Sequence, residues 1–334
     1  MIIQNNGVLS LDAQTSIDLI MEPVIQDPSI AESFMIFPKL YAGEVKLALI
    51  KQMEKIVTAA TACAPTYKGA VDITERTITP KKLQFGVKIC YDEFQYTQYD
   101  NLASIKAQGG ATYSQELVNL LTGQIKTALS LDVDRLAWWG DVTSTDADYS
   151  LVNGIWSYIP NLVATSQVVQ YVNTGSGGAI TNAAAYNFLQ DVVLNAPAVL
   201  RQFAPAEKRI HIAGSMWIKI LRYLQDNAIS NGYINVFAQP LPGNIAGSFM
   251  GIPVVVQDRW DSILAADFGL SEQHRILYTV KNNLVVGTDL RMNAAGSQAF
   301  VKIYEDPNTD ELKMRGNFAF DTNYALPQLI SVAY

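Results

Sequence analysis

Residues 79–94 read TPKKLQFGVKICYDEF. Side chains along a strand alternate between two faces, so Leu83, Phe85, Val87 and Ile89 share one side of this run. Lys82, Gln84, Gly86 and Lys88 share the other. Pro80 stands ahead of the run, where its missing N–H costs the ladder nothing. Just upstream, Val71–Thr79 (VDITERTIT) is also rich in strand formers. The two segments are expected to fold back on each other as a hairpin arm centred near Arg76. An isolated two-stranded hairpin is marginal in water, so its apolar row needs a surface to lie on. A neighbouring subunit is the natural candidate. Lys81, Lys82, Leu83, Phe85, Val87 and Ile89 are the residues expected to contact it.

Working outward, residues 113–139 form the clearest helix, with Thr112 and Gln115 spaced as a capping box. Leu117, Leu120, Leu121, Ile125, Ala128 and Leu129 advance by threes and fours, which makes one apolar stripe. Upstream, residues 1–40 mix polar stretches with short apolar runs broken at Asp27–Pro28 and Phe37–Pro38. They are expected to form an arm of short helical turns; an ordinary helix-and-loop segment fits as well. Residues 42–60 suit a strand or a helix equally.

Beyond the helix, Thr143–Ser150 is polar and Asn153–Gly154–Ile155 opens a new unit. Residues 181–203 are helical with a break at Pro197. Arg209–Ala213 is a short strand, and Ser215 is expected to cap a helix that runs to Asp226 and buries Ile218, Leu221 and Leu224. GIPVVVQDRW (Gly251–Trp260) contains a Val-rich buried strand. Strand, helix and strand in this order predict a compact α/β lobe. Ile276–Val280 and Leu284–Gly287 flank the turn residues Lys281–Asn283. Phe300–Glu305 and Leu312–Phe320 predict a hairpin across DPNTD (Asp306–Asp310), and Ile330–Tyr334 a last strand.

TPKKLQFGVKICYDEF, GIPVVVQDRW and NLVVGTDLRM (Asn283–Met292), in this order and spacing, resemble the major capsid proteins of tailed bacteriophages with the Hong Kong 97 (HK97) fold. The resemblance implies an α+β chain in four parts. These are an N-terminal arm at 1–60, an extended β-hairpin loop at 61–100, a peripheral domain at 101–154 and 276–334, and an α/β axial domain at 155–275. The helix at 113–139 becomes the spine of the peripheral domain, and the terminal strands return beside it. It implies a structural protein, not an enzyme, that self-assembles through pentamers and hexamers into an icosahedral head. The head encloses double-stranded DNA held non-specifically, and is built in the host bacterial cytoplasm. A portal, decoration proteins and a separate scaffolding protein are the further partners implied. Many relatives carry a charged scaffolding segment ahead of the arm. Here the arm is reached by about Ile73, which implies a separate scaffold or none. Some relatives cross-link lysine to asparagine; Lys68, Lys81 and Lys82 lie on or near the arm, but no cross-link is predicted.

Composition agrees with an assembling chain. Hydrophobic residues make up 49% and charged residues 16% of the 334 residues, against a usual charged share of about 25%. A subunit whose surface is largely covered by its neighbours has this balance, as does a somewhat apolar globular protein. The net charge of −7 argues against a protein whose main task is gripping nucleic acid, while a container has no need of a strongly basic face. No apolar run approaches the length of a membrane span, and the first residues lack the pattern of a secretory signal.

Chemistry is hard to find. The two histidines, His211 and His274, have no HxxxH or CxxC companion, so no metal or cofactor is expected. Gly175–Gly178 (GSGG) reads as a loop, and Asp132, Asp134, Asp146 and Asp148 as solvated acidic turns. Cys63 and Cys90 would face each other across a hairpin at Arg76, although buried thiols suit a cytosolic protein better. Two rival readings stay open. One is an encapsulin-like shell of the same fold, and the other an α/β enzyme whose site is assembled from scattered residues.

Overall fold

The computed structural model describes residues 2–5, 8–11, 24, 27–37, 45–50, 73–90, 115–171, 180–227, 234–241, 244–269, 274–289, 300–306 and 311–334. Two mixed sheets and a long helix share one continuous apolar core.

The larger sheet is built around β8 (Lys208–Ala213), which is buried along its whole length. β11 (Ile252–Gln257) pairs with it in parallel, Val254 beside Ile210, and β12 (Ile276–Val280) pairs antiparallel on the other side. A strand covered on both faces reads as a continuous apolar run, which is why Val254–Val256 shows no alternation. β10 (Ile245–Phe249) and β9 (Ile234–Leu241) extend one edge. β16 (Ile330–Ala333) and β7 (Val169–Tyr171) extend the other, giving the order β7-β16-β12-β8-β11-β10-β9. Met250 and Gly251 join β10 to β11 with φ of 51° and 79°, the left-handed pair that a two-residue hairpin turn requires.

The helices of this lobe end where local chemistry dictates. Residues Asn182–Leu194 form a helix whose N-cap Thr181 accepts a hydrogen bond from the Ala184 amide at 3.2 Å. It stops before Pro197, which begins a separate helical turn, as the sequence predicts. The helix Gly214–Asp226 departs from expectation. Ser215 is not its cap but lies in its first turn, where its amide and hydroxyl both donate to Asp261 at 2.7 Å. Met216, Trp217, Ile220 and Leu224 form its inner face, while Ile218 is turned outward and is 51% exposed.

The smaller sheet centres on the long strand β15 (Glu311–Tyr324), whose side chains alternate between buried and half-open. β14 (Phe300–Asp306) pairs with it across the predicted hairpin, and β13 (Leu284–Thr288) with its far end. β3 (Met35–Phe37) runs parallel to β13. The arm strand β6 (Lys81–Cys90) also pairs with β15, Phe85 opposite Gly316.

That pairing corrects the expected hairpin. β5 (Ile73–Ile78) pairs not with β6 but with β4 (Val45–Ile50), and Arg76 lies mid-strand opposite Leu47. The physical reason is the two-residue link Thr79–Pro80. A tight reversal wants positive φ, whereas proline fixes φ near −65° and holds the residue before it extended, so the chain runs on. Cys63 lies outside the described residues, and with Arg76 mid-strand the facing of Cys63 and Cys90 loses its basis.

The terminal strands also divide differently. β12 and β13 flank the predicted turn, yet they enter different sheets. β12 and β16, expected beside the spine helix, complete the larger sheet next to β8. Asn283 stitches the seam: its side chain donates to the Leu326 carbonyl at 3.0 Å and accepts from the Leu326 amide at 2.8 Å. At the N-terminus, β1 (Ile2–Asn5) and β2 (Val8–Leu11) form a hairpin where helical turns are expected. Asp27–Pro28 starts rather than interrupts a helix, Pro28–Ser33, with Asp27 accepting from the Ser29 amide at 3.0 Å.

The long helix spans Gln115–Trp139. Ile125, Leu129, Val133, Leu136 and Trp138 are its buried face, and Ala128 is exposed, at odds with the expected stripe. The Thr112 half of the capping box lies outside the described residues, as does the GSGG segment. After the helix, the Gly154 amide donates to the Gly140 carbonyl at 2.7 Å. The two backbones are so close that a Cβ on Gly140 would sit 2.4 Å from the Val152 carbonyl oxygen.

Candidate intersubunit surface

The sheet of β6, β15 and β14 carries the residues expected to meet a neighbour. Register sorts its side chains. On one face Leu83 lies opposite Phe318, Val87 opposite Met314 and Ile89 opposite Leu312. On the other, Gln84 faces Asn317, Gly86 faces Arg315 and Lys88 faces Lys313. The alternation read from the sequence is therefore realised.

Burial along the apolar row is graded. Leu83 is 9% exposed and belongs to the main core, Phe85 is half-buried against that core, and Val87 is 39% exposed. Ile89 is half-buried, and Lys81 and Lys82 are exposed. Leu83 thus serves its own chain, while the row opens toward Val87. The neighbouring pair β4 and β5 is tied down at one end by Leu47 and Ile78, which pack with Val285 and Phe37. Covering the exposed part of Val87 stabilises an interface by about 1 kcal/mol.

At the C-terminal end of the long helix the contacts are closed instead. Trp260 packs edge-on against Trp138, Trp139 and Trp156 at centroid distances of 4.9, 6.0 and 5.4 Å. Arg275 lies over the Trp139, Trp156 and Tyr334 rings, and burial pulls its pKa down to about 10. Four of the five tryptophans meet here.

Beside them is a buried polar cluster that sequence reasoning missed. Ser29 donates to Asp134 at 2.8 Å, Arg259 reaches the other Asp134 oxygen at 3.4 Å, and Gln257 donates to Ser33 at 3.2 Å. Asp134 is 1% exposed and sits on the helix, not in a solvated turn. Desolvation raises its pKa, while the hydrogen bond from Ser29 and the charge of Arg259 pull it back. His211 is fully buried with its Nδ1 3.5 Å from Gln257 Nε2. Burial, helped by the charge of Arg209, lowers its pKa to about 3, so it is neutral at ordinary pH. This cluster joins the Pro28–Ser33 helix to the long helix and the larger sheet. Among the described residues, no group of three or more His, Cys, Asp or Glu side chains is placed to hold a metal ion. No helix among them is long and apolar enough to cross a membrane.

No protein-family model matches the chain, and no curated protein matches it in sequence. Solved phage capsids are similar in three dimensions. The chain is 12% identical to a chain of the satellite phage P4 procapsid that includes the size determination (Sid) protein, over 94% of this chain and 96% of that one, with a TM-score of 0.56. The capsid of Myoviridae phage XM1 gives 11% identity, coverage of 91% and 90%, and a TM-score of 0.52. The cyanophage A-1(L) capsid gives 13%, 99% and 96%, and 0.51. Identity at this level speaks for the fold. The chain has the α+β fold of phage capsid proteins, in agreement with the HK97-like resemblance.

Proposed function

We propose that this chain is the major capsid protein of a tailed phage, a shell subunit rather than a catalyst. The observation that carries the reading is the capsid fold over nearly the whole chain, joined to an arm sheet whose apolar row is left open at Val87. On this reading the peripheral domain is the long helix with the smaller sheet. The axial domain is the larger sheet with its helices, now including β12 and β16. The reaching hairpin is β4–β5 rather than β5–β6, and β6 continues from it into the peripheral sheet. Lys81, Phe85, Val87 and Ile89 form the surface that a neighbour covers, while Lys82, also expected there, falls on the opposite face by register. Leu83 anchors the same strand from within. Copies close into pentamers and hexamers through repeated heterologous contacts, and many weak contacts per subunit make a stable shell. Scaffold, portal, decoration proteins and packaged DNA are the partners, and the virion is the location.

Size-exclusion chromatography with negative-stain imaging of the purified chain tests this. Closed shells, or free pentamers and hexamers, are expected. A chain that stays monomeric at every concentration, with and without the products of neighbouring head genes, would count against it. Shells filled with an enzyme instead of nucleic acid would favour the encapsulin-like alternative.

A further inference from the structure

The second face of the arm sheet is not used by the apolar contact. Register sets its rows: Lys88, Lys313 and Tyr304 lie side by side, and Gly86, Arg315 and Lys302 form the next row. Rows on one face of a sheet are about 6.8 Å apart. Lys82 lies further along β6 on the same face. Like charges therefore stand directly opposite each other twice, Lys88 with Lys313 and Arg315 with Lys302, an arrangement that weakens a sheet. Glu311 offsets part of this, pairing with Lys88 at 3.1 Å and Lys313 at 3.0 Å. Asp306 is opposite Glu311 in register. Among the described residues, register places five basic residues on this face against two acidic ones, in a chain of net charge −7.

Gly86 supplies the second observation. No atom lies within 4 Å of the place its Cβ would occupy, and its φ is not positive. Neither packing nor backbone conformation asks for glycine there. A glycine inside a strand weakens it, and often marks where a ligand comes close. Here it helps open a groove of about 240 Å³ lined by Lys88, Lys313, Arg315 and Tyr304 together with Val87 and Met314 from the strands that form its floor. The Arg315 guanidinium lies over the Tyr304 ring, 5.7 Å from its centroid.

We propose that this groove and the basic rows beside it hold the phosphodiester backbone of duplex DNA, without sequence preference. The setting, a genome inside a shell, rests on the capsid reading; the binding chemistry does not. On β6, β15 and β14, register places one large aliphatic or phenylalanine residue on this face, Phe300, whereas the cores of protein interfaces are apolar and depleted of charge. Lysine, arginine, asparagine, glutamine and tyrosine are the residues that contact phosphate and sugar. Few charges make a weak, salt-sensitive grip, which suits DNA that must slide during packaging.

The test is fluorescence anisotropy of a labelled duplex of about 30 base pairs with the full-length chain across a salt series. Neutralising about three phosphates gives a log–log salt slope near −3. Lys302→Gln with Arg315→Gln is expected to cut affinity at low salt at least 10-fold and flatten the slope by about 2, with no loss of thermal stability. Gly86→Val, which fills the groove without changing charge, is expected to weaken binding several-fold. Unchanged affinity in these variants would overturn the proposal. So would a poly-glutamate chain that binds this face more tightly than the duplex, which would assign it to an acidic protein partner. Imaging the same samples keeps the two readings apart. Shells that form normally from a variant that has lost DNA affinity support the proposal. Lost shells with DNA affinity retained would make the face a subunit contact and overturn it. A wild-type chain that binds DNA through these residues but never forms shells counts against the capsid reading alone.

Discussion

All six residues of β8 are buried, whereas β6, with ten residues, fully buries only Leu83 among its described side chains. β8 has a strand on each side and helices over its sheet; β6 has β15 on one side and an apolar row that opens toward Val87. The larger sheet is completed by its own chain, down to the tryptophan cluster that closes it against the long helix. The arm sheet leaves one face for protein and the other for charge. On the capsid reading, a subunit that must fold before it assembles gains from this division: the closed region supplies stability, and the open region is the surface left for neighbours.

The sharpest way to break this comparison is at the closed end. Gly140→Ala would push a Cβ to 2.4 Å from the Val152 carbonyl oxygen and 2.8 Å from that of Leu136, both backbone atoms. A loss on the order of 4 kcal/mol or more is expected, seen as little soluble protein or a collapsed urea midpoint. A wild-type midpoint would show that the helix end is not closed. Trp260→Ala removes a fully buried ring from the aromatic cluster and should cost about 3–5 kcal/mol by urea denaturation. A cost below about 1 kcal/mol would mean that the cluster relaxes around the loss.

The acid response probes the same region. His211 stays neutral in the folded chain down to about pH 3, while in the unfolded chain it takes up a proton near pH 6.5. Stability from this group is therefore complete above pH 6.5 and falls as the pH drops toward 3, by about 3 kcal/mol at pH 4. Asp134 acts with the opposite sign. Its raised pKa favours the folded state as the pH falls through it. His211→Gln should flatten the acid-side loss of stability between pH 7 and pH 4, and an unchanged profile would remove His211 from the account. At the open end of the long helix, Gly123 is exposed with nothing within 4 Å of its Cβ position. Gly123→Ala should stabilise the chain by about 1 kcal/mol, and a lowered Tm would mean that this surface is already in use.

What could be read beforehand was local. The period-two pattern of residues 81–90, the long helix, the break at Pro197 and the hairpin across DPNTD all depend on neighbours in sequence. Strand partners do not. A hydropathy pattern says which face is apolar but not which strand lies beside it, and β6 finds β15 more than 200 residues away. Two signals were present and unread. Asn6–Gly7 between apolar pairs marks the β1–β2 hairpin, and Thr79–Pro80 argues against a reversal after β5. Asp134 was misplaced because alternating aspartates resemble a turn, although it lies next to Val133 on the inward side of the long helix. Of the candidate surface, the apolar row was legible. The basic face was not, because Lys302, Lys313 and Arg315 come to Lys88 only through register.

The most direct measurement on the open face is sedimentation and negative-stain imaging of Val87→Asp beside the wild type. Val87 is 39% exposed, so folding should lose only about 1–2 kcal/mol, while the yield of shells should fall at least 10-fold. Intact shells in normal yield from a folded Val87→Asp chain would contradict the claim that a neighbour completes this face.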